Sequence, residues 1–430
     1  MSSQNGADSA RRRRHWLAPA ALAAALLLPV AVAAAPMSLG EVLARAAARD
    51  LSRPPAAARV DAAEAAARQA NVRPNPSVGL DIENFAGSGG RQLVDTTETT
   101  LYYQQTLERG AKRDARVGAA RADVAVARLR GEVRALDLLA TVQTLWVEAA
   151  TTAAAVDVAR ERLALAERLQ RETARRVSAA RDPLFAGERA RTGVAQAQIA
   201  LDQAVMAADN ARAALASYLG VADVEVDSAS LFPADMSASA LPPVSALQTP
   251  DFAVLEAERD AAVARIRVEE TRARQDPTLR AGLRHFQQGG DVALVVGGSI
   301  PLGRSDTNQG NIDRARAERL ALEGELALAR TERDREIARL AARRAAAASE
   351  LRRIDAEVLP SARRAVDLVR DGFNRGGEAF TVLEVTEAQR AVIDTQARRI
   401  ELLKSYALDG ARLDRVAARH APLIASAEIR

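Results

Sequence analysis

The sequence predicts a mainly α-helical protein that carries a transmembrane β-barrel. Three observations predict it. Long Ala/Arg/Glu/Leu-rich blocks run with hardly a proline, two pairs of short alternating segments recur in the two halves of the chain, and a leader precedes a chain with no apolar helical span.

Residues 1–33 read as a signal peptide. Arg11 to Arg14 form a basic block, residues 16–32 are apolar, and Ala31-Val32-Ala33 supplies the small-x-small cleavage pattern. Pro19 and Pro29 interrupt the apolar stretch, which falls short of the ~20 apolar residues that a retained helical anchor needs. Cleavage after Ala33 or Ala34 is favoured over Ala35, which would leave Pro36 first. The chain has no cysteine, so neither a disulfide nor a lipid-modified N-terminal cysteine can hold it. With no later span apolar enough for a helix, attachment to a membrane requires a closed barrel.

The 60 basic and 56 acidic residues are interleaved, as on solvated helix faces, and do not form a nucleic-acid patch. Aromatics make up only 3% of a chain rich in alanine, which indicates long helices packed through small side chains.

Residues 34–220 form the first of two halves: a helix, a hairpin over 78–106, and a long helix pair over 111–219. In the first long helix, Val117, Val124, Val133, Leu136, Leu139, Val142, Leu163 and Leu169 recur at spacings compatible with one helical face. About 66 residues at 1.5 Å each give a rod of roughly 100 Å. The break at Asp182-Pro183 separates it from a second helix over 184–219. Residues 221–250, with Pro233, Pro242, Pro243 and Pro250, read as a linker. Residues 251–430 repeat the order: a helix, a hairpin over 279–300, and a helix pair over 308–418 with a kink at Pro360 and a turn over 372–377. Pro76 and Pro277, each followed by a strand-like run, stand 201 residues apart, which points to an internal two-fold repeat.

The hairpins carry the membrane argument. Val78, Leu80 and Ile82 alternate with Asp81 and Glu83; Leu279, Ala281 and Leu283 alternate with Arg280 and Arg284. In a barrel the first set of each would face lipid, and Asp81, Glu83, Arg280 and Arg284 a wet lumen. Phe85, Tyr102, Tyr103 and Phe286 would form an interfacial belt. Alternation alone is equally compatible with a soluble two-hairpin element. If the strands lie in lipid, four cannot close a barrel, and three chains would supply twelve.

At these residues the chain resembles the TolC-like outer-membrane efflux family, and within it the outer-membrane subunits of cobalt–zinc–cadmium efflux systems. The resemblance rests on Arg73-Pro-Asn-Pro-Ser-Val-Gly-Leu80, Gln105-Thr-Leu-Glu-Arg-Gly-Ala-Lys-Arg-Asp-Ala-Arg116, and Ser299-Ile-Pro-Leu-Gly303 with Asn308-Gln-Gly310. Arg181-Asp-Pro-Leu-Phe185 and Gly372-Phe-Asn-Arg-Gly-Gly377 with Val382-Leu-Glu384 resemble the family's helical tips. Ala111, before Lys112-Arg113, and Ala180 depart from the pattern where the family has glycine; at Ala180, in the tip, the first turn is expected to be tighter or differently docked. The resemblance implies a homotrimer with four strands per chain in a twelve-stranded barrel, continued by a long antiparallel α-helical coiled-coil barrel in the periplasm. It implies a passive exit duct for heavy-metal cations, in contact with outer-membrane lipid. The duct would work with a periplasmic adaptor (membrane fusion) protein and an inner-membrane RND pump. A duct for drug efflux or type I protein secretion stays open as an alternative, as does a periplasmic coiled-coil scaffold without a pore.

Adaptor docking is expected at Arg176, Arg181, Asp182, Pro183, Leu184, Arg375, Gly376 and Gly377. Glu384, near Arg375 and Glu378, is the candidate gate, where like charges would converge on a threefold axis; the alternative is one more exposed helix carboxylate. No catalytic constellation, cofactor motif or paired-histidine metal spacing stands out, with His15, His285 and His420 isolated from one another. Gly303 and Gly310 lack the Lys-Ser/Thr of a phosphate loop, so Asn308-Gln-Gly310 reads as a helix entry.

Overall fold

The computed structural model describes residues 36–87, 96–231, 249–302, 306–375 and 380–428. The expected signal peptide, most of the first hairpin's connection, most of the linker, and Gly376, Gly377 and Glu378 lie outside these residues.

Helix α1 (Leu39–Arg49) opens with a capping box, in which Ser38 and Glu41 satisfy each other's backbone N–H groups. Where one helix was expected, Asp50 breaks the chain, and α2 (Arg53–Ala70) starts afresh with proline in its first turn. Strands β1 (Ser77–Glu83) and β2 (Glu98–Thr106) follow, then α3 (Lys112–Ser178) of 67 residues, roughly 100 Å at 1.5 Å per residue. Helix α4 (Leu184–Leu219) returns along α3 and ends on left-handed Gly220. Helix α5 (Pro250–Arg272) packs on α3 as well. Strands β3 (Thr278–Phe286) and β4 (Val292–Ser299) precede α6 (Gln309–Arg353).

Pro360 is expected to kink the next helix, and the structure places a π-helical segment just before it. A π-helical turn over Ile354–Val358, closed by the Leu359 N–H to the Ile354 carbonyl, widens the backbone just before the proline. Pro360 then falls in the first turn of α7 (Leu359–Arg375), where a missing N–H costs little. The turn expected from Gly372 onward does not start there, since α7 continues to Arg375. Gly372 is inside the helix, and a side chain there would collide with the Phe380 ring. The return helix α8 (Val382–Val416) is followed by α9 (Ala421–Glu428), which the sequence reading left out.

Small side chains bring the helices together. Ala149 and Ala150 are fully buried, and with Leu139, Val142 and Trp146 they pack against Val42 of α1 and Leu215 of α4. The Trp146 indole N–H donates to the Met37 carbonyl at 3.2 Å, tying α3 to the residue that bridges in parallel to Val226. Of the predicted face of α3, Val124, Leu136, Leu139, Val142 and Leu169 are buried, while Val117, Val133 and Leu163 are partly so. Among the described residues, no helix is long and apolar enough to cross a membrane.

The four strands form one antiparallel sheet in the order β1-β2-β3-β4. Leu80, Leu101, Leu283 and Leu294 stand in line across it, as do Val78, Tyr103, Ala281 and Val296. Gly289 and Gly290 take positive φ in the turn between β3 and β4, with the Phe286 N–H donating to the Asp291 carbonyl at 2.9 Å. Tyr102 departs from the expected aromatic belt. It stands at the middle of β2 between Gly79 and Gly282, and its ring fills the space that a side chain at Gly79 would need.

Candidate functional site

Period-two alternation gives the sheet two unlike faces. One carries Val78, Leu80, Ile82, Leu101, Tyr103, Leu283, Leu294 and Val296, all more than half exposed, with Leu294 and Val296 at 73%. Nothing in the described chain covers them. The opposite face holds the charges. Arg284 donates from Nε to Thr100 Oγ1 at 2.9 Å, from Nη1 to Glu98 at 2.7 Å and from Nη2 to Glu83 at 2.8 Å. Arg280 lies 3.9 Å from Asp81 and 5.6 Å from the centre of the Tyr102 ring. The structure therefore brings Asp81, Glu83, Arg280 and Arg284 together on one face. It adds Glu98, which the sequence reading passed over although it shares their parity at the start of β2.

Among the described residues of the single chain, both outer strands, β1 and β4, have an unpaired edge. In hydrocarbon each unsatisfied backbone group would cost several kcal/mol.

At the far end of the long helices, Arg176 organises the tip. Its guanidinium makes a two-point bond to Asp182, at 2.8 and 2.9 Å, and donates to the Phe373 carbonyl at 2.5 Å. It also stacks 4.1 Å from the centre of the Phe373 ring, which is fully buried with Leu169, Val382 and Val385. Hydrogen bonding to Asp182 holds the Arg176 guanidinium more firmly protonated than usual, against the opposing effect of burial. Phe373 was absent from the expected site; no helical periodicity distinguishes it as the stacking partner of a distant arginine.

The Ala180 departure does not tighten the turn. Ala180 takes φ 55°, the left-handed conformation that glycine adopts freely. The Arg181 N–H reaches the Arg176 carbonyl and the Ala180 N–H the Val177 carbonyl, closing a Schellman motif. Ala111 is likewise left-handed, with φ 60°, at the entry to α3. Pro183 caps α4, and Leu184 and Phe185 beyond it are 81% and 70% exposed. A cleft of about 840 Å³ is lined by Arg176, Arg181, Asp182, Pro183 and Arg375 together with Phe185, Phe380 and Leu383. Leu184 is outside its lining, and the Arg375 side chain is exposed, 4.0 Å from Asp371.

Glu384 is exposed and engaged locally. Its carboxylate accepts from the Thr381 N–H at 2.9 Å and from the Thr381 hydroxyl, forming a capping box at the start of α8.

Between sheet and tip, Arg415 of α8 bridges Asp137 of α3, at 2.6 Å, and Asp251 of α5, at 2.7 and 2.9 Å. His420 is half-buried; its Nε2 lies 2.9 Å from Gln143 Oε1, and burial lowers its pKa despite Asp414 nearby. His285 sits at the end of β3, opposite Thr99 and Val292. Among the described residues, no group of three or more His, Cys, Asp or Glu could hold a metal ion. Asn308 makes the expected helix entry: it is left-handed, with φ 57°, and its amide donates to the carbonyl and carboxylate of Glu269 at 2.9 Å.

Residues 241–419 match the family described as outer membrane efflux protein. Over 398 residues the chain is 27% identical to the cobalt-zinc-cadmium resistance protein CzcC of Cupriavidus metallidurans, covering 90% of this chain and 91% of that protein. Its fold is similar to that of the outer membrane protein VceC of Vibrio cholerae (TM-score 0.68, 19% identity, 88% of this chain and 95% of that one). It is also similar to that of CusC, a protein that forms a transmembrane channel (TM-score 0.71, 18% identity, 88% and 91%). The chain is thus similar to outer membrane efflux proteins, over residues 241–419 by family and over nine-tenths of its length to CzcC, and its place is the Gram-negative outer membrane.

Proposed function

We propose that three copies of this chain form a passive exit duct, with twelve strands closing a barrel in the outer membrane and the long helices forming an antiparallel α-helical barrel below it. The observation that carries this reading is the sheet: apolar and exposed on one face, charged on the other, and open at both edges. Three such sheets joined edge to edge leave no unpaired strand in lipid. The charged face then lines the lumen. Within the strands it carries three carboxylates (Asp81, Glu83 and Glu98) against two guanidiniums (Arg280 and Arg284), a balance that suits hydrated cations.

Heavy-metal cations are the proposed cargo, on the likeness to CzcC. Among the described residues no coordination cage awaits them, so selection is assigned to an inner-membrane RND pump, joined to the tips through a periplasmic adaptor. The tip cleft, with Arg181 and Arg375 beside exposed Leu184 and Phe185, is the proposed docking surface, together with Gly376 and Gly377. Glu384 is the proposed gate charge. Left-handed Ala111 and Asn308 each open a long helix after the second strand of a hairpin, which supports an internal duplication.

Planar bilayers test the reading. Purified protein is expected to produce discrete conductance steps with mild cation preference. Silent bilayers over a wide protein range would reject the duct.

A further inference from the structure

We infer that the strand-to-helix junction holds the phosphate headgroups of glycerophospholipids, a binding surface that rests on the duct reading above. Arg73, Lys112 and Arg113 line one cleft of about 750 Å³ between the segment leading into β1 and the start of α3. Arg109 precedes it, and Arg274 lies across Gly110, where a side chain would run into its Cδ. Two cations of this neighbourhood are already committed. Lys112 bonds Asp276 at 2.7 Å, and Arg116 pairs with Glu108. The Arg109 N–H donates to Asp276 at 2.9 Å, but the guanidiniums of Arg73, Arg109, Arg113 and Arg274 have no carboxylate partner among the described residues; the unpaired acid in the same stretch is Asp114. The cleft floor is fixed, because the Gln105 amide donates to the Pro74 carbonyl at 3.0 Å.

Charge alone would suit any anion, but the apolar surface beside it narrows the choice. Leu107, Ile300 and Leu302 are 41%, 68% and 79% exposed, and they carry the apolar side of the sheet down to this junction. A ligand that matches both features has an anionic head and acyl tails. The junction is also where strands give way to helices, since only residues 107–111 separate β2 from α3. In a membrane-spanning barrel this level is the headgroup layer of the leaflet nearest the helices, where arginine and lysine gain from anionic lipid.

The test is native mass spectrometry of the whole mature protein, released from detergent after titration with phosphatidylglycerol, diacylglycerol or inorganic phosphate. The expected result is retention of phosphatidylglycerol, little diacylglycerol, and no competition from millimolar phosphate. The combined variant Arg73→Gln, Arg109→Gln, Arg113→Gln, Arg274→Gln is expected to lose at least fivefold of that retention. A control with Arg335→Gln, Arg363→Gln, Arg364→Gln, Arg412→Gln, all on exposed helix surface, is expected to keep it. Equal retention by the two variants, equal binding of diacylglycerol, or displacement by free phosphate would overturn the lipid site. Should the combined variant not assemble, the four single variants carry the same comparison, and no loss in any of them overturns it. An unaltered protein that is monomeric in detergent overturns the duct reading instead.

Discussion

Arg284 and Glu83 lie 201 residues apart in the chain and meet at 2.8 Å across the sheet. The same guanidinium reaches Glu98, so one side chain on β3 bridges carboxylates on both β1 and β2. It thereby ties the hairpin of the second half to that of the first.

Replacing Arg284 by alanine leaves Glu83 and Glu98 without their cation. The groups are partly exposed, so the loss of stability should be only about 1 kcal/mol. The larger effect is expected on permeation: a reversal potential measured across a salt gradient should move further towards the cation limit. An unchanged reversal potential would mean that this face does not line the ion path.

Arg176 joins the turn after α3 to the end of α7 through Asp182 and Phe373. Arg176→Ala should loosen the tip by about 2 kcal/mol, the scale of a charge-assisted bond plus a ring stack. Hydrogen exchange at residues 176–186 should rise while the sheet stays protected. Arg176→Lys should rescue little, since an ammonium cannot reproduce the two-point bond. Full rescue by lysine would show that charge alone matters.

Left-handed alanines are a reservoir of strain. Ala180→Gly and Ala111→Gly should each raise stability by about 0.5–1 kcal/mol, the left-handed penalty less the added chain entropy of glycine. Chemical denaturation of the detergent-solubilised protein measures it. A loss of stability on either change would contradict the backbone geometry described for that turn.

Glu384 caps its own helix, so Glu384→Ala changes two things at once. It should cost about 1 kcal/mol at the start of α8 and also remove a charge. Glu384→Gln keeps an acceptor for the Thr381 N–H and removes only the charge. If the charge gates, Glu384→Gln should alter single-channel conductance and its block by divalent cations; a normal trace for Glu384→Gln would leave Glu384 as a cap.

The long helices and the strands were legible because their signals are local. Proline and glycine stops bracket α4, and alternation alone put Asp81 and Arg280 on one side of their strands. What stayed hidden depends on tertiary geometry. Gly372 reads as a turn residue, yet it is a helical position where a side chain would meet Phe380. Tyr102 reads as an interfacial aromatic, yet it packs over Gly79 on the neighbouring strand. Pro360 signalled a kink, but not the π turn that precedes it. Ala180 looked like a departure from the tip geometry because composition does not reveal φ. The partnership of Arg176 with Phe373, and of Arg284 with Glu98, is invisible until the chain is folded.

The central claim is that the open edges of β1 and β4 are satisfied by neighbouring copies of the same chain. The mass of the intact particle, extracted from the membrane fraction and weighed in mild detergent, tests it most directly. Three chains per particle is the predicted result; a water-soluble monomer that needs no detergent would contradict the account.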